Sequence, residues 1–392
     1  MKSILIIFFS IVTLTGCNRK KNYNAKITSY VEFIENNNKS AKEYILDLFD
    51  KNDIVILCER YHSENTQYEL IMDIVSDSRF IKNVGNIFFE TAMRSINPEL
   101  KDHVRSENLS ENTLQEKLLA IHRNSDYYPL WEPYNLYYQN KQIYNINQSL
   151  SEEDKINIYA TDITIKQDSV TIDQLRDFWN GDADNRDKLM AEFIIDKFEQ
   201  IKKADVKRKK ALVIMNYRHA YNKNFQESNG NMIYNVGAFL FEKYPNTTAN
   251  VLINSIIMQG DKWLMQDGKW DAAFEVAKED NMGFDFENSP FGKEHFDMWS
   301  FTEHDNKYQD IFTGFAYYKS PKEFKLIDGV DGLIDSIFIK TYKNRVKKWQ
   351  ELGDDSYPLN EDEIYKVFGR KNVSPLDKID SLSILINRWK EK

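Results

Sequence analysis

Three short apolar runs, rich in β-branched residues, each run into an acid or a histidine at their carboxyl end. Asp53-Ile54-Val55-Ile56-Leu57-Cys58 leads into Glu59-Arg60-Tyr61-His62, Asn86-Ile87-Phe88-Phe89 ends at Glu90, and Ala211-Leu212-Val213-Ile214-Met215 leads into Asn216-Tyr217-Arg218-His219. Apolar runs this short suit strands buried on both faces, as in a parallel sheet covered by helices. In such sheets, ligands bind outside the carboxyl ends of the strands. The pattern therefore predicts an α/β fold in which Glu59, His62, Glu90 and His219 converge on one polar pocket.

Alternation of strand and helix signals extends this reading along the chain. Residues 27 to 50 have helical spacing. Ser63 stands where a helix cap belongs, ahead of the face Tyr68, Leu70, Ile71, Ile74 and Val75. Residues 95 to 150 read as mostly helical and carry a dense aromatic stretch from Tyr127 to Tyr144. Further strands are expected at 156–160, which runs into Asp162, at 249–257 and at 311–318, with helical sequence at 171–204, 230–244 and 340–392. Asp267-Gly268, between Trp263-Leu264 and Trp270, suits a hairpin, and residues 259 to 308 read as an irregular insert. The domain plan is a leader at 1–17, a polar tether at 18–26 and a single α/β domain over 27–392 that carries the insert.

The leader has Lys2, an apolar core from Ile4 to Val12, and Leu14-Thr15-Gly16-Cys17, the pattern of a bacterial lipobox. It predicts a mature chain beginning at an acylated Cys17, held on a membrane of the cell envelope. The apolar core is too short to span a bilayer. Cys58 is then the one remaining thiol, placed in an apolar run as a small hydrophobe. Removing residues 1–16 takes away Lys2 and changes the formal charge from −9 to −10 over 376 residues. That balance argues against nucleic acid as a partner. The basic cluster from Lys202 to Lys210 reads as the solvated end of a helix.

Glu59 and His62, three apart beyond a strand, project to one side if the turn is helical. Such a pair serves either as a carboxylate orienting an imidazole base or as two ligands of a divalent metal, with Glu90 and His219 completing the set. His295 and His304 in the insert, and His103 and His122 in helical surroundings, read as surface or structural residues. The glycine-rich phosphate loops and the Gly-x-Ser-x-Gly elbow are absent from the sequence.

Taken in order, these residues resemble the erythromycin-esterase-like family, part of a wider group with haem-uptake lipoproteins and Tiki-type metalloproteases. The family's strand followed by Gly-Glu-x-x-His is matched by Cys58-Glu59-Arg60-Tyr61-His62, with cysteine for glycine. Phe88-Phe89-Glu90, Trp131 and Tyr159-Ala160-Thr161-Asp162 follow in order, and Arg186-Asp187-Lys188-Leu189-Met190-Ala191-Glu192 matches the family's Arg-Asp-x-x-Met-Ala-Glu helix. Asn216-Tyr217-Arg218-His219 falls on its His-Asn-x-His, with Asn216 for the first histidine. The resemblance implies hydrolysis of an ester, lactone or amide of a small molecule. His62 would be the general base, Glu59 and Glu90 would orient it or position water, and His219 would assist. Arg186 would stabilise an oxyanion or form a salt bridge, and Asp162 and Glu192 would be scaffold. No cofactor is implied with certainty, a divalent metal on His62, Glu90 and His219 being the open case. The alternative, favoured by Asn216, is a protein on the same scaffold that binds haem or another ligand, or a catalytically degenerate one.

Overall fold

The computed structural model describes residues 23–204, 207–227, 230–259, 262–299, 306–376 and 379–391. The leader, Cys17 and His304 lie outside them. A seven-stranded sheet is built from β1 (Ile54–Glu59), β2 (Asn86–Met93), β3 (Asn157–Asp162), β4 (Ala211–Asn216), β5 (Thr248–Ile253), β6 (Asn281–Asp285) and β7 (Gly314–Tyr318). Its order is β6-β7-β5-β1-β4-β2-β3, and every pairing is parallel except β6 with β7.

The strands are apolar on both faces because both faces are covered. Ile54, Ile56, Cys58, Val213 and Met215 enter one core, whereas Val55, Leu57, Leu212 and Ile214 enter the other. On the first face lie α1 (Thr28–Glu35), α7 (Arg186–Ala204), α8 (Val236–Lys243) and α9 (Lys269–Ala277). On the second lie α2 (Ala41–Leu48), α3 (Thr66–Val75), α4 (Asn97–Arg105) and α6 (Asn135–Asn147), with α5 (Glu111–Arg123) beside them. Cys58 is fully buried, and burial pushes its thiol well above the ordinary range. It is packing, not a nucleophile.

The register sets up the site. Glu59 stands opposite Asn216 across β1 and β4, and Phe89 stands opposite Ile214 across β2 and β4. Glu59, Glu90 and Asn216 therefore leave the sheet within two rungs of one another. β2 runs on past Glu90 to Met93, with a shift of register against β3 between Phe89 and Met93. Irregularities of this kind re-aim side chains next to active sites.

Several expectations are corrected. β5 stops at Ile253, where the Asn254 amide bonds Lys319 O and Tyr318 N; residues 256–259 leave the sheet and pair with 262–264. Asp267-Gly268 closes no hairpin. Gln266, Asp267 and Gly268 all have left-handed φ, and the chain turns directly into α9. Trp270 is buried against Phe291, Tyr308 and Phe315. The stretch expected to be irregular contributes α9 and β6, and Gly283 of β6 has no room for a Cβ beside Tyr44. Ser63 caps nothing; the Glu64 carboxylate takes the free amides of Thr66 and Gln67, while Ser63 donates to Asp328. Arg208 is buried against the carbonyls of Asp154 and Lys155, so the basic cluster is solvated only in part.

Candidate active site

Glu59, the last residue of β1, is wholly buried. Its carboxylate accepts from His62 Nδ1 (3.1 Å), from Asn135 Nδ2 of α6 (3.3 Å) and from the Tyr68 hydroxyl of α3. The turn between Glu59 and His62 is fixed by Gln67, which accepts from Arg60 N and donates to the carbonyls of Tyr61 and Glu64. The His62 ring meets Trp131 edge-on at 5.1 Å. Trp131 is held in turn by Asn135 through its indole N–H and by buried His122, which donates to its carbonyl. Among the described residues, Nε2 of His62 has no hydrogen-bond partner, and the imidazole lines a cavity.

Beside this pair, charges alternate across four elements. Asp187 at the start of α7 accepts from His219 Nδ1 (2.8 Å) and from Val236 N at the start of α8 (3.3 Å). His219 Nε2 reaches Glu90 (3.2 Å), and Glu90 also accepts from Asn216 N (2.9 Å). Arg186 joins Glu90 (3.0 Å) and grips Asp162 with two bonds of 2.8 Å, its third nitrogen 3.1 Å from His219 Nε2. Gly237 lets α8 approach this corner, because a Cβ there would strike Tyr221 O at 2.4 Å.

The electrostatics divide the groups. Burial alone would raise the Glu90 carboxyl, but His219 and Arg186 overturn that and hold it well below the usual range. Burial pulls the His219 imidazole down, and Asp187 with Glu90 pushes it up to about 10. His219 is thus a fixed cation at neutral pH, not a base. His62 is also pulled down by burial and pushed further up by Glu59 and Glu90, so it titrates above its ordinary value.

All five residues expected from the sequence meet at one end of the sheet. The cavity there has a volume of about 200 Å³ and is lined by His62, Glu90, Asp126, Trp131, Asp162 and Arg186 together with Tyr127 and Tyr128. Asp162, read as scaffold, lines it directly, while Glu192 is exposed and faces Lys188. Asp126, Asp187, Tyr68 and Asn135 were not expected as site residues. A larger cavity of about 620 Å³ opens behind Met93 between α4, α5 and residues 165–169, but Glu59, His62, Glu90, Arg186 and His219 do not line it. His103 borders it as a neutral, buried ring, and His295 is an exposed surface residue.

A divalent metal on His62, Glu90 and His219 does not fit these residues. Both nitrogens of His219 are engaged, and the Arg186 guanidinium already sits against Glu90 as its counter-cation. Among the described residues, no group of three or more histidine, cysteine or acidic side chains is arranged to hold a metal ion.

No family model and no curated protein matches the chain. Solved structures similar to it include an erythromycin esterase mutant in its open conformation, at 12% identity over 80% of this chain and 99% of that one, with a TM-score of 0.45. A Bacillus cereus protein is similar at 11% identity, over 74% of this chain and 97% of its own, with a TM-score of 0.44. A haem-binding protein of Campylobacter jejuni is similar at 12% identity, over 70% and 91%, with a TM-score of 0.33. Each likeness is partial, and the chemistry rests on this chain's own residues.

Proposed function

We propose that this protein is a hydrolase of a small ester, lactone or amide, held on a membrane of the cell envelope through acylated Cys17. The observation that carries the reading is His62, tied at Nδ1 to a buried carboxylate and open at Nε2 onto the cavity. Glu59 fixes the tautomer in which Nδ1 carries the proton and leaves the Nε2 lone pair free, the arrangement a positioned general base requires. In the reaction, Nε2 takes a proton from water while the water oxygen bonds to the carbonyl carbon. Arg186 supplies positive charge for the resulting oxyanion. The tetrahedral centre then collapses and expels the leaving group.

A cavity of about 200 Å³ encloses a reacting group rather than a large substrate. Trp131 and Tyr128 would pack the portion next to the scissile bond. A screen of ester, lactone and amide substrates on the wild type and His62→Ala tests the proposal. Hydrolysis by the wild type should fall about 10²- to 10⁴-fold in the variant. Equal activity in both would move the catalytic site elsewhere. Ligand binding without turnover by either would favour the binding-protein alternative. For the anchor, Cys17→Ala should move the protein from the membrane fraction to the soluble one, and continued membrane partition would refute it.

A further inference from the structure

Asp126 belongs to no motif that the sequence offers, yet it shares the cavity with His62, Asp162 and Arg186. It stands on the irregular stretch between α5 and α6, which is bolted in place. Met93 N donates to Ser125 O at 2.7 Å, and the Gln167 amide donates to the carbonyls of Asp126, Tyr127 and Tyr128. The Asp126 carboxylate accepts from Tyr128 N at 3.1 Å. The Arg186 guanidinium, which lines the same cavity, is committed to Asp162 and Glu90. We infer that Asp126 is the general acid of this site, delivering a proton to the leaving oxygen, and that the substrate is an ester whose leaving alcohol is an unactivated alkyl alcohol. This rests on the hydrolase reading above.

Burial and the neighbouring Asp162 push the Asp126 carboxyl up, opposed by Arg186 and the amides of Tyr127 and Tyr128, to about 7. Tyr127, Tyr128 and Tyr357 also couple to it, and His62 and Glu90 line the same cavity. A substantial fraction is therefore the neutral acid near pH 7, which a proton donor must be. The step balances. His62 removes one proton from water, the hydroxyl oxygen bonds to the carbonyl carbon, and the carbon–oxygen bond to the leaving group breaks with its electron pair passing to that oxygen. Asp126 protonates that oxygen, and the proton held on His62 restores Asp126 through solvent. Ester and water become acid and alcohol. An alkoxide leaving group is too basic to depart unprotonated, whereas 4-nitrophenolate departs without help.

The experiment compares ethyl and 4-nitrophenyl esters of the same short acid, hydrolysed by the full-length wild type, Asp126→Asn and His62→Ala. Asp126→Asn should lose about 10²-fold or more on the ethyl ester and less than about threefold on the 4-nitrophenyl ester. Equal losses on both esters would make Asp126 merely structural, and no loss on the ethyl ester would remove it from catalysis; either result overturns the inference. His62→Ala should lose activity on both esters. Full activity of His62→Ala, or no hydrolysis of either ester by the wild type, overturns the hydrolase reading and the inference with it. As a check independent of turnover, carboxyl-carbon NMR of Asp126 should titrate near neutral pH; a midpoint near 4 also overturns the inference.

Discussion

Two histidines follow neighbouring strands at the same end of the sheet, and their surroundings differ in one respect. His62 has a single carboxylate on Nδ1 and an open Nε2, whereas His219 is bound at both nitrogens, to Asp187 and to Glu90. Each imidazole is pulled down by burial and pushed up by two acids, but both of those acids touch the His219 ring and drive it to about 10, whereas only Glu59 touches His62. A base must give up its proton near the working pH and present a lone pair to the substrate. His62 meets the second condition by geometry. His219 meets neither, and its charge instead keeps Glu90 ionised. Sequence treats the two residues alike, as a histidine after an apolar run; only the number of contacting carboxylates separates the ring with an open nitrogen from the ring bound at both.

The sharpest way to break this comparison is to remove each ring. His62→Ala should lower turnover by about 10²- to 10⁴-fold with little loss of stability, because Glu59 keeps Tyr68 and Asn135 as partners. His219→Gln should do the reverse in emphasis. It leaves Glu90 and Asp187 short of a cation and should cost roughly 3 kcal/mol in denaturant unfolding, the lower end for breaking a buried ion pair. The pH dependence has a definite sign. A histidine whose folded pKa is raised stabilises fully below its unfolded value of about 6.5, and that stability is lost as pH climbs to about 10. The wild type should therefore weaken between those values and His219→Gln should show a flatter curve. If both variants lose turnover and stability alike, the distinction between the two histidines fails.

Glu59→Gln gives a smaller effect on rate and a diagnostic effect on pH. As a base, His62 works only when neutral, so the rate should rise through a pKa above the ordinary histidine value. Removing the Glu59 charge takes away the largest upward push, so the acidic limb of kcat/KM should move to lower pH as the maximal rate falls. An unmoved limb would mean that another group controls it. Asn216→His should not raise activity. The Asn216 side chain donates to Arg60 O and accepts from Arg218 N, so a ring there would break two turns before it offered a base. Greater activity in Asn216→His would show instead that the second imidazole is what this site lacks.

The strands were legible because burial on both faces leaves continuous apolar runs, and the residues after them were legible because a parallel sheet places its chemistry there. The antiparallel edge was not. Asn281-Met282-Gly283-Phe284-Asp285 carries a glycine demanded by Tyr44, which dilutes any strand signal. Asp267-Gly268 misled because left-handed backbone serves equally to close a hairpin or to lead into a helix. Asp187 was in view within the Arg186-Asp187 pair, but its role depends on α7 and α8 meeting at His219. Asp126 had no signal at all, because its segment has no periodicity and is positioned by a glutamine forty-one residues away in sequence.

The smallest expected effect concerns the same aspartate and contrasts with His219 in sign. An acid whose folded pKa is raised binds its proton more tightly in the native state, so stability declines as pH rises from about 4 in the unfolded chain through about 7 in the folded one. Above that range the folded protein carries an ionised Asp126 beside Asp162. Asp126→Asn removes that repulsion and keeps the shape, so its Tm should exceed the wild type's at pH 8, by about 2 °C. At pH 4, where the native carboxyl is already neutral, the difference should vanish. Catalytic residues often carry such a cost, and relieving it raises stability at the expense of activity. A variant less stable at both pH values would show that the carboxylate is a structural hydrogen-bond acceptor, and the two halves of the site would then differ less than their charges suggest.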